Sequence, residues 1–256
     1  MARYQVILAY DGSRFAGFQR QRRASRLPTV QDVFEEALRK LGWQDETVLY
    51  AGRTDRGAHA LGQVVAFDLE WRHPAQALQA ALNACLPDDV AVQAVKACAP
   101  AFHPRYQARG RRYRYRLFCA ETRQPLLERY AWRVWPAVEI EPMQMAARLI
   151  LGKHDFGAFG SPLSERGSTQ REVQFAGWKA WQEDGGLGAW QFDVQANAFL
   201  YHMVRRLVAA MVAIGQKRLT LEQFQRALQG EEVLPKVELA PPQGLTLMEV
   251  LYGHSS

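Results

Sequence analysis

The chain is organised around residues 51–60, which read AGRTDRGAHA. They lie between the strand-like segment Thr47–Tyr50 and the alternating segment Gln63–Leu69, so extended backbone holds the loop at both ends. The two glycines, Gly52 and Gly57, predict tight turns, because only glycine adopts positive φ without steric cost.

Asp55 is the one carboxylate of this loop, with Arg53 and Arg56 beside it and His59 four residues further on. A loop placed by two strands can present such a side chain rigidly to a substrate. The same carboxylate could instead hydrogen-bond the backbone of its own turn, as aspartates in turns commonly do. The loop taken alone leaves both interpretations open.

The first half of the chain, residues 1–104, alternates in the order strand, helix, strand, strand, helix, strand. A capping box from Thr29 to Asp32 opens the first helix, and Pro74 opens the second. The predicted strands are Gln5–Tyr10, Thr47–Tyr50, Gln63–Leu69 and Val90–Val95. This order predicts an α+β half with an antiparallel sheet and both helices on one face.

The second half, residues 105–256, repeats the alternation. Strands are predicted at Tyr130–Val134 and Leu245–Leu251, and a hairpin joins Val173–Trp181 to Ala189–Ala196 through a turn at Asp184–Gly186. Helices are predicted from Pro142, with Met145, Ala146, Leu149 and Ile150 on one face, from Phe199 to Met211, and at Leu221–Leu228. The Phe199 helix carries Arg205 and Arg206 off its apolar stripe.

Six arginines between Arg105 and Arg116 surround a predicted strand that carries Tyr113 and Tyr115. Side chains alternate along a strand, so three of these arginines face one side and both tyrosines face the other. Charges also guard exposed edge strands, which is the simpler explanation. The tyrosines on the opposite face make that explanation weaker than usual.

Composition is compatible with an RNA partner. The formal net charge is +6 and the pI about 9.4, which permits a polyanionic partner without requiring one. The segment Phe15–Arg23 mixes aromatic, amide and arginine side chains, a combination that stacks on bases and pairs with phosphates. A merely solvated basic loop is the alternative.

Several classes of site are not indicated. The sequence holds no P-loop, zinc-protease, nucleophile-elbow or dinucleotide-binding motif, and its six histidines never pair at metal-ligand spacing. The three cysteines lack a CxxC spacing, and no apolar run resembles a signal peptide or a membrane span. We therefore expect a soluble cytoplasmic protein without metal, cofactor or membrane partner. A hydrolase built from Ser13, His59 and Asp55 stays open, although no motif supports it.

The segment Gly52-Arg53-Thr54-Asp55-x-Gly57-x-His59-Ala60 closely resembles the active-site motif of TruA-type tRNA pseudouridine synthases. Seven further similarities follow the same order along nearly the whole chain: Tyr10–Gly12 with Gly17–Gln19, Thr29–Gln31, Phe102-His103, Arg112–Tyr115, His154–Phe156, Asn197–Arg205 and Gly244-Leu245. Arg56 and Ala58 depart from the motif, where small and β-branched residues are usual. Neither is the reacting group.

The resemblance implies a pseudouridine synthase fold of two similar α+β halves, each ferredoxin-like or RRM-like, with the active site in the cleft between them. It implies isomerisation of uridine to pseudouridine at positions 38, 39 and/or 40 of the tRNA anticodon stem-loop, without cofactor or metal. It also implies a homodimer with tRNA lying across both subunits.

The same resemblance assigns the reacting residues. Asp55 would be the nucleophile, and Arg205 the cation that keeps it ionised where water is excluded. Tyr113 would stack on the target base and accept the C5 proton, and Leu245 would form an apolar wall. Arg53 would take the place vacated by the flipped uridine.

Charge and location, rather than the motif, assign the contacts to the rest of the tRNA. Phosphates outside the pocket are expected at Arg20, Arg22, Arg23 and Arg206, with a steep dependence on salt, and Gln19 is expected to bind the tRNA as well. A non-catalytic RNA-binding protein of the same shape is the alternative function.

Overall fold

The structure, a computed structural model, describes residues 1–21, 26–162, 164, 167–181 and 188–253. Within these ranges the strands are β1 Ala2–Tyr10, β2 Leu49–Tyr50, β3 His59–Leu69, β4 Val90–Cys98, β5 Ala108–Cys119, β6 Trp132–Val134, β7 Gly152–Asp155, β8 Gln170–Ala180, β9 Ala189–Ala196 and β10 Leu245–Tyr252. The α-helices are α1 Val30–Lys40, α2 Ala75–Cys85, α3 Ile140–Leu149, α4 Met203–Gly215 and α5 Leu221–Leu228. No helix in this part of the chain is long and apolar enough to cross a membrane.

The chain divides into two units, Met1–Arg109 with Thr246–Ser256, and Gly110–Leu245. In the first unit the strands lie in the order β4-β1-β3-β10, and β2 pairs with β3. All these pairs are antiparallel except β3 with β10, which run parallel. The helices α1 and α2 contact each other, and α2 packs on β4. The predicted order of strands and helices in this half is therefore confirmed.

The capping box predicted at Thr29 is present at the start of α1. The amide of Asp32 donates to the Thr29 hydroxyl at 3.1 Å, and the amide of Thr29 donates to the Asp32 carboxylate at 3.1 Å. These bonds satisfy two amides that the helix itself leaves without acceptors. The local sequence is thus sufficient to define where α1 begins.

Glu35, on α1, is a completely buried carboxylate that the sequence analysis did not single out. Its Oε1 accepts hydrogen bonds from the Gln31 amide group at 2.8 Å, the Thr47 hydroxyl at 3.2 Å and the Val48 amide at 3.1 Å. Its Oε2 pairs with the Arg20 guanidinium. Glu35 therefore ties α1 to the chain that enters β2 and to the basic segment before the helix.

Replacing Glu35 with alanine is expected to lower the free energy of unfolding by about 3 kcal/mol, because buried donors lose their common acceptor. Urea denaturation measures the change. The exposed neighbour Glu36 gives the matched control, and Glu36→Ala should stay within about 0.5 kcal/mol of the wild type. Similar values for the two variants would show that the Glu35 network adds nothing to stability.

In the second unit the strands lie in the order β5-β9-β8-β7, all antiparallel, and β6 pairs in parallel with β5. The helix α3 contacts α4, α5 and β8. The predicted hairpin is confirmed as β8 and β9, and its predicted turn at Asp184–Gly186 lies outside the described residues. Each unit is thus an α+β layer whose sheet is antiparallel apart from one parallel pair.

Two helical predictions need correction. Met145 was expected on the buried face of α3 but is 50% exposed, whereas Met143 is completely buried. Met143 lies three residues before Ala146 and Met145 four residues before Leu149, so each has a helical spacing to a predicted apolar position, and the packing of Met143 near Gly215 of α4 selects Met143. Phe199 was expected inside the fourth helix, which in fact begins at Met203 because His202 has a left-handed φ of 63°.

Candidate active site

The loop that carries Asp55 connects β2 to β3, and buried hydrogen bonds fix where it leaves the sheet. The Ala51 amide donates to the Val64 carbonyl at 2.9 Å. The completely buried Gln63 donates through Nε2 to the Gly52 carbonyl at 2.8 Å. The first turn of the loop is therefore anchored to β3 by both backbone and side chain.

Thr54, the residue before Asp55, is anchored twice. The hydroxyls of Tyr10 and Thr54 share a hydrogen bond of 2.8 Å in a buried position. The Phe18 amide donates to the Thr54 carbonyl at 3.2 Å. Because Thr54 is held at its side chain and its carbonyl, the backbone that presents Asp55 has little freedom.

Asp55 begins a tight turn that ends at Ala58. The Ala58 amide donates to the Asp55 carbonyl at 3.1 Å, and Gly57 has a φ of +80° at the third position, as a type II turn requires. The prediction of a positive-φ glycine is confirmed at Gly57. It is wrong at Gly52, whose φ lies outside the left-handed region.

A second loop, Asp11–Gln19, packs against the Asp55 loop within the first unit. A Cβ on Gly12 would lie 1.9 Å from the Ala58 carbonyl oxygen. A Cβ on Gly17, which has a φ of +102°, would lie 2.8 Å from the Thr54 carbonyl oxygen. These glycines allow the two backbones to approach closely, because any larger side chain would meet a carbonyl of the other loop.

His59 and Asp11 link the same two loops. The Gly12 amide donates to His59 Nδ1 at 3.0 Å, and Asp11 Oδ1 lies 3.1 Å from that nitrogen. His59 Nδ1 therefore lies within hydrogen-bonding distance of both the Gly12 amide and the Asp11 carboxylate, which joins the two loops. The Ser13 hydroxyl donates to Asp11 at 2.6 Å. This commitment of Ser13 to Asp11 disfavours a hydrolase with Ser13 as nucleophile.

The side chain of Asp55 is half-buried, and Arg53 and Arg56 on either side of it are exposed. The loop therefore combines a rigid backbone with a carboxylate that a substrate can approach. This is the arrangement that nucleophilic or electrostatic catalysis requires of a carboxylate.

Tyr113 lies on β5 opposite Val194 of β9, and its ring meets that of Phe199 edge-on at 5.0 Å between centroids. The next cross-strand pair holds this register through a two-bond contact between Arg114 and Asp193, at 2.8 and 3.4 Å. Burial raises the pKa of Asp193, but hydrogen bonds from Arg114 and Gln191 outweigh it and bring the pKa below its ordinary value. An ionised Asp193 therefore aligns the strand that carries Tyr113.

The arginine face of β5 is partly neutralised inside the protein. Arg114 is bound to Asp193, and the Arg116 guanidinium lies 4.6 Å from the centre of the Trp181 ring. The ion pair with Asp193 reduces the field expected from this run of arginines, whereas the contact with the uncharged Trp181 ring leaves the charge of Arg116 intact.

Arg205 is only 9% exposed, in the first turn of α4. Its Nε donates to the Ala240 carbonyl at 2.7 Å. The sequence placed both Arg205 and Arg206 off the apolar stripe, but α4 is buried on almost every side and only Arg206 of the two is exposed. Burial of a guanidinium is costly unless it is hydrogen-bonded, and the Ala240 carbonyl supplies such a bond to Arg205.

Tyr115 is a fully buried residue of β5 to which the sequence assigns no role. Its hydroxyl donates to the Pro241 carbonyl at 2.7 Å, one residue beyond the carbonyl that Arg205 contacts. Burial raises the pKa of Tyr115 far above its ordinary value, and the positive charge of Arg205 opposes that rise. A Cβ on Gly244 would lie 2.6 Å from the Tyr115 ring. Arg205 and Tyr115 together fix the segment that leads into Leu245.

The remaining residues assigned to tRNA differ in their surroundings. Arg53 and Arg206 are exposed, and Gln19 is half-buried. Arg20 donates to Asp32 at 2.8 Å and pairs with Glu35, and the hydrogen bond to Asp32 raises its pKa. Arg22 and Arg23 lie outside the described residues.

In the described ranges no three His, Cys, Asp or Glu side chains are grouped so that they could hold a metal ion.

A model of the tRNA pseudouridine synthase family matches residues 6–107 and 146–253. The chain therefore belongs to the tRNA pseudouridine synthase family, and the resemblance of its motifs is confirmed.

Relatives matched over nearly their whole length carry the name tRNA pseudouridine synthase A. The protein from Neisseria gonorrhoeae is 39% identical over 250 residues, which cover 98% of this chain and 92% of the relative. That from Myxococcus xanthus is 38% identical over 98% of this chain and 92% of the relative. That from a Thermoanaerobacter species is 33% identical over 98% of this chain and 100% of the relative. A solved Cbf5-Nop10-Gar1 complex aligns at a TM-score of 0.35 and 10% identity, over 95% of this chain and 48% of that chain.

Proposed function

We propose that this protein isomerises uridine to pseudouridine at positions 38, 39 and/or 40 of the tRNA anticodon stem-loop, with Asp55 as the nucleophile. The observation that carries the proposal is the Asp55 loop, in which Thr54 and Gly57 hold a half-buried carboxylate on a fixed backbone. Membership of the tRNA pseudouridine synthase family supplies the reaction and the substrate class.

The reaction breaks the N1–C1′ bond, rotates the base and joins C5 to C1′. The C5 proton is lost to water, and N1 takes up a proton, so no electrons are gained or lost and no group donor is needed. A carboxylate near the sugar and base can attack or stabilise the electron-poor centre left by glycosidic cleavage. Asp55 supplies that group.

In this proposal three residues of the second unit serve the same reaction. Arg205 balances the charge of Asp55, Tyr113 stacks on the base and accepts the C5 proton, and Leu245 forms an apolar wall. The buried contacts of Arg205 with Ala240 and of Tyr115 with Pro241 support a fixed placement of Arg205 and of the chain before Leu245.

The uridine must leave its helix before it can react, at a cost of a few kcal/mol in lost stacking. We assign Arg53 to the vacated place, Arg20, Arg22, Arg23 and Arg206 to phosphates, and Gln19 to a further contact with the tRNA. Arg20 would reach a phosphate oxygen with guanidinium N–H groups that its contacts with Asp32 and Glu35 do not use. We further propose a cytoplasmic homodimer that binds tRNA across both subunits.

Release of tritium from a tRNA transcript labelled at uridine C5 tests the function. We expect release to water in amounts that match the uridines at positions 38–40, and none from a transcript with cytidines there. Binding of the labelled transcript without release would instead support a non-catalytic RNA-binding protein.

Replacing Tyr113 with phenylalanine is expected to slow single-turnover tritium release by about 10²–10⁴-fold, the range for loss of a general acid or base. The edge-on contact with Phe199 does not need the hydroxyl, so the ring should keep its place and tRNA affinity should stay near the wild-type value. Tyr113→Leu, which also removes the ring, should weaken binding as well. An unimpaired Tyr113→Phe protein would exclude the proton-transfer role.

A further inference from the structure

A turn in the first unit presents an aromatic ring to solvent, outside the residues assigned to the active site. Tyr106 is 77% exposed, and its ring lies against His103 at 4.2 Å between centroids, tilted by 40°. Single exposed apolar side chains are common on protein surfaces and need no explanation by themselves. Tyr106 differs from such residues because hydrogen bonds hold the turn beneath its ring and because the same segment carries exposed arginines.

The backbone of the turn is held by four hydrogen bonds. Two come from side chains: the Tyr252 hydroxyl donates to the Pro104 carbonyl at 2.9 Å, and Arg3 Nη1 donates to the Phe102 carbonyl at 3.1 Å. Two are backbone bonds: the Phe102 amide donates to the Ala99 carbonyl at 2.8 Å, and the Gln107 amide donates to the His103 carbonyl at 3.2 Å. Arg3 is itself fixed by a two-bond ion pair with Asp68 on β3. Because the turn is ordered in advance, a ligand of Tyr106 would not bear the entropy cost of ordering it.

The surroundings of the ring are cationic and polar. The His103 Nδ1 accepts from the Arg105 amide at 3.2 Å, and burial lowers the pKa of His103, so the imidazole is neutral at pH 7. Arg105 and Arg109 are exposed on the same segment, as is Gln107. A protein interface is built around a contiguous apolar patch. An uncharged ring exposed on a segment that also carries two exposed arginines instead matches the flat face and phosphates of a nucleotide.

We propose that the outer face of Tyr106, supported by His103, stacks on an unpaired nucleotide of the RNA substrate, with Arg105 and Arg109 placed for adjoining phosphates. This proposal rests on the proposed function in one respect, which is that the RNA bound by Tyr106 is the tRNA substrate. Stacking of one base on an aromatic ring contributes about 1–3 kcal/mol, which corresponds to about 5- to 150-fold in affinity.

Equilibrium binding of tRNA to the full chain, in an Asp55→Ala background that prevents turnover, tests this site. Tyr106→Leu should weaken binding by about 5- to 150-fold, whereas Tyr106→Phe and Tyr106→Trp, which keep a ring, should bind like the parent. The salt dependence of binding should not change, because no phosphate contact is removed. Phe175→Leu is the matched control, since Phe175 is 53% exposed in the second unit, and it should leave affinity unchanged.

A blunt-ended RNA duplex distinguishes stacking from other effects. It offers no unpaired base, so Tyr106→Leu and the parent should bind it equally. The proposal would be overturned if Tyr106→Leu lost affinity equally for the duplex and for tRNA, or if its affinity for tRNA were unchanged. A change of oligomeric state in Tyr106→Leu would assign the ring to a protein interface instead. Absence of tritium release by the wild type would refute the proposed function while leaving the effect of Tyr106 on binding intact.

Discussion

Asp55→Ala is expected to reduce tritium release from labelled tRNA by at least about 10⁴-fold, because the proposed reaction loses its nucleophile. The loop should keep its shape, since its anchors are the hydroxyl and carbonyl of Thr54 and the turn between Asp55 O and the Ala58 amide. None of these bonds uses the Asp55 carboxylate. The loss should therefore appear in the rate of turnover while tRNA binding persists.

Two further variants make the Asp55 result specific. Asp55→Asn keeps the size of the side chain and should be as inactive as Asp55→Ala, because an amide cannot form the covalent bond. Asp45→Ala, which removes an exposed carboxylate of the same unit, should keep wild-type activity. Substantial turnover by Asp55→Asn would refute the assignment of Asp55 as nucleophile.

Arg205→Ala is expected to slow turnover by about 10²–10³-fold with a loss of tRNA affinity below about tenfold. The proposed role of Arg205 is to balance a charge during reaction, so its removal acts on the rate more than on binding. A cost in stability is also expected, about 1–3 kcal/mol, because the completely buried Ala240 loses the donor to its carbonyl. Single-turnover rates measured well below the melting temperature separate the two effects.

The adjacent residue Arg206 provides the contrast for Arg205. It is exposed and is assigned to a phosphate, so Arg206→Ala should weaken tRNA binding. The slope of the logarithm of the binding constant against the logarithm of salt concentration should fall in magnitude by about one. Its turnover at saturating tRNA should remain close to the wild-type rate. If Arg205→Ala behaved like Arg206→Ala, with equal losses of affinity and of rate, Arg205 would be a phosphate contact and not the partner of Asp55.

The sequence alone was sufficient for the features that depend on neighbouring residues. The capping box at Thr29, the positive φ of Gly57 and the order of strands and helices in the first half follow from local backbone preference and from the spacing of apolar residues. The motif around Asp55 also identified the family correctly. Such features are readable because the residues that cause them lie within a few positions of one another.

Only the tertiary structure decided which distant residues meet. The closing strand β10 pairs with β3 of the first unit, although its position in the chain suggests the second half. Arg205 is buried against Ala240, 35 residues away, and Tyr115 bonds to Pro241, 126 residues away. Apolar spacing shows that one face of a segment will be buried but not which element will cover it. The choice of partner depends on packing summed over the whole unit, which no local pattern encodes.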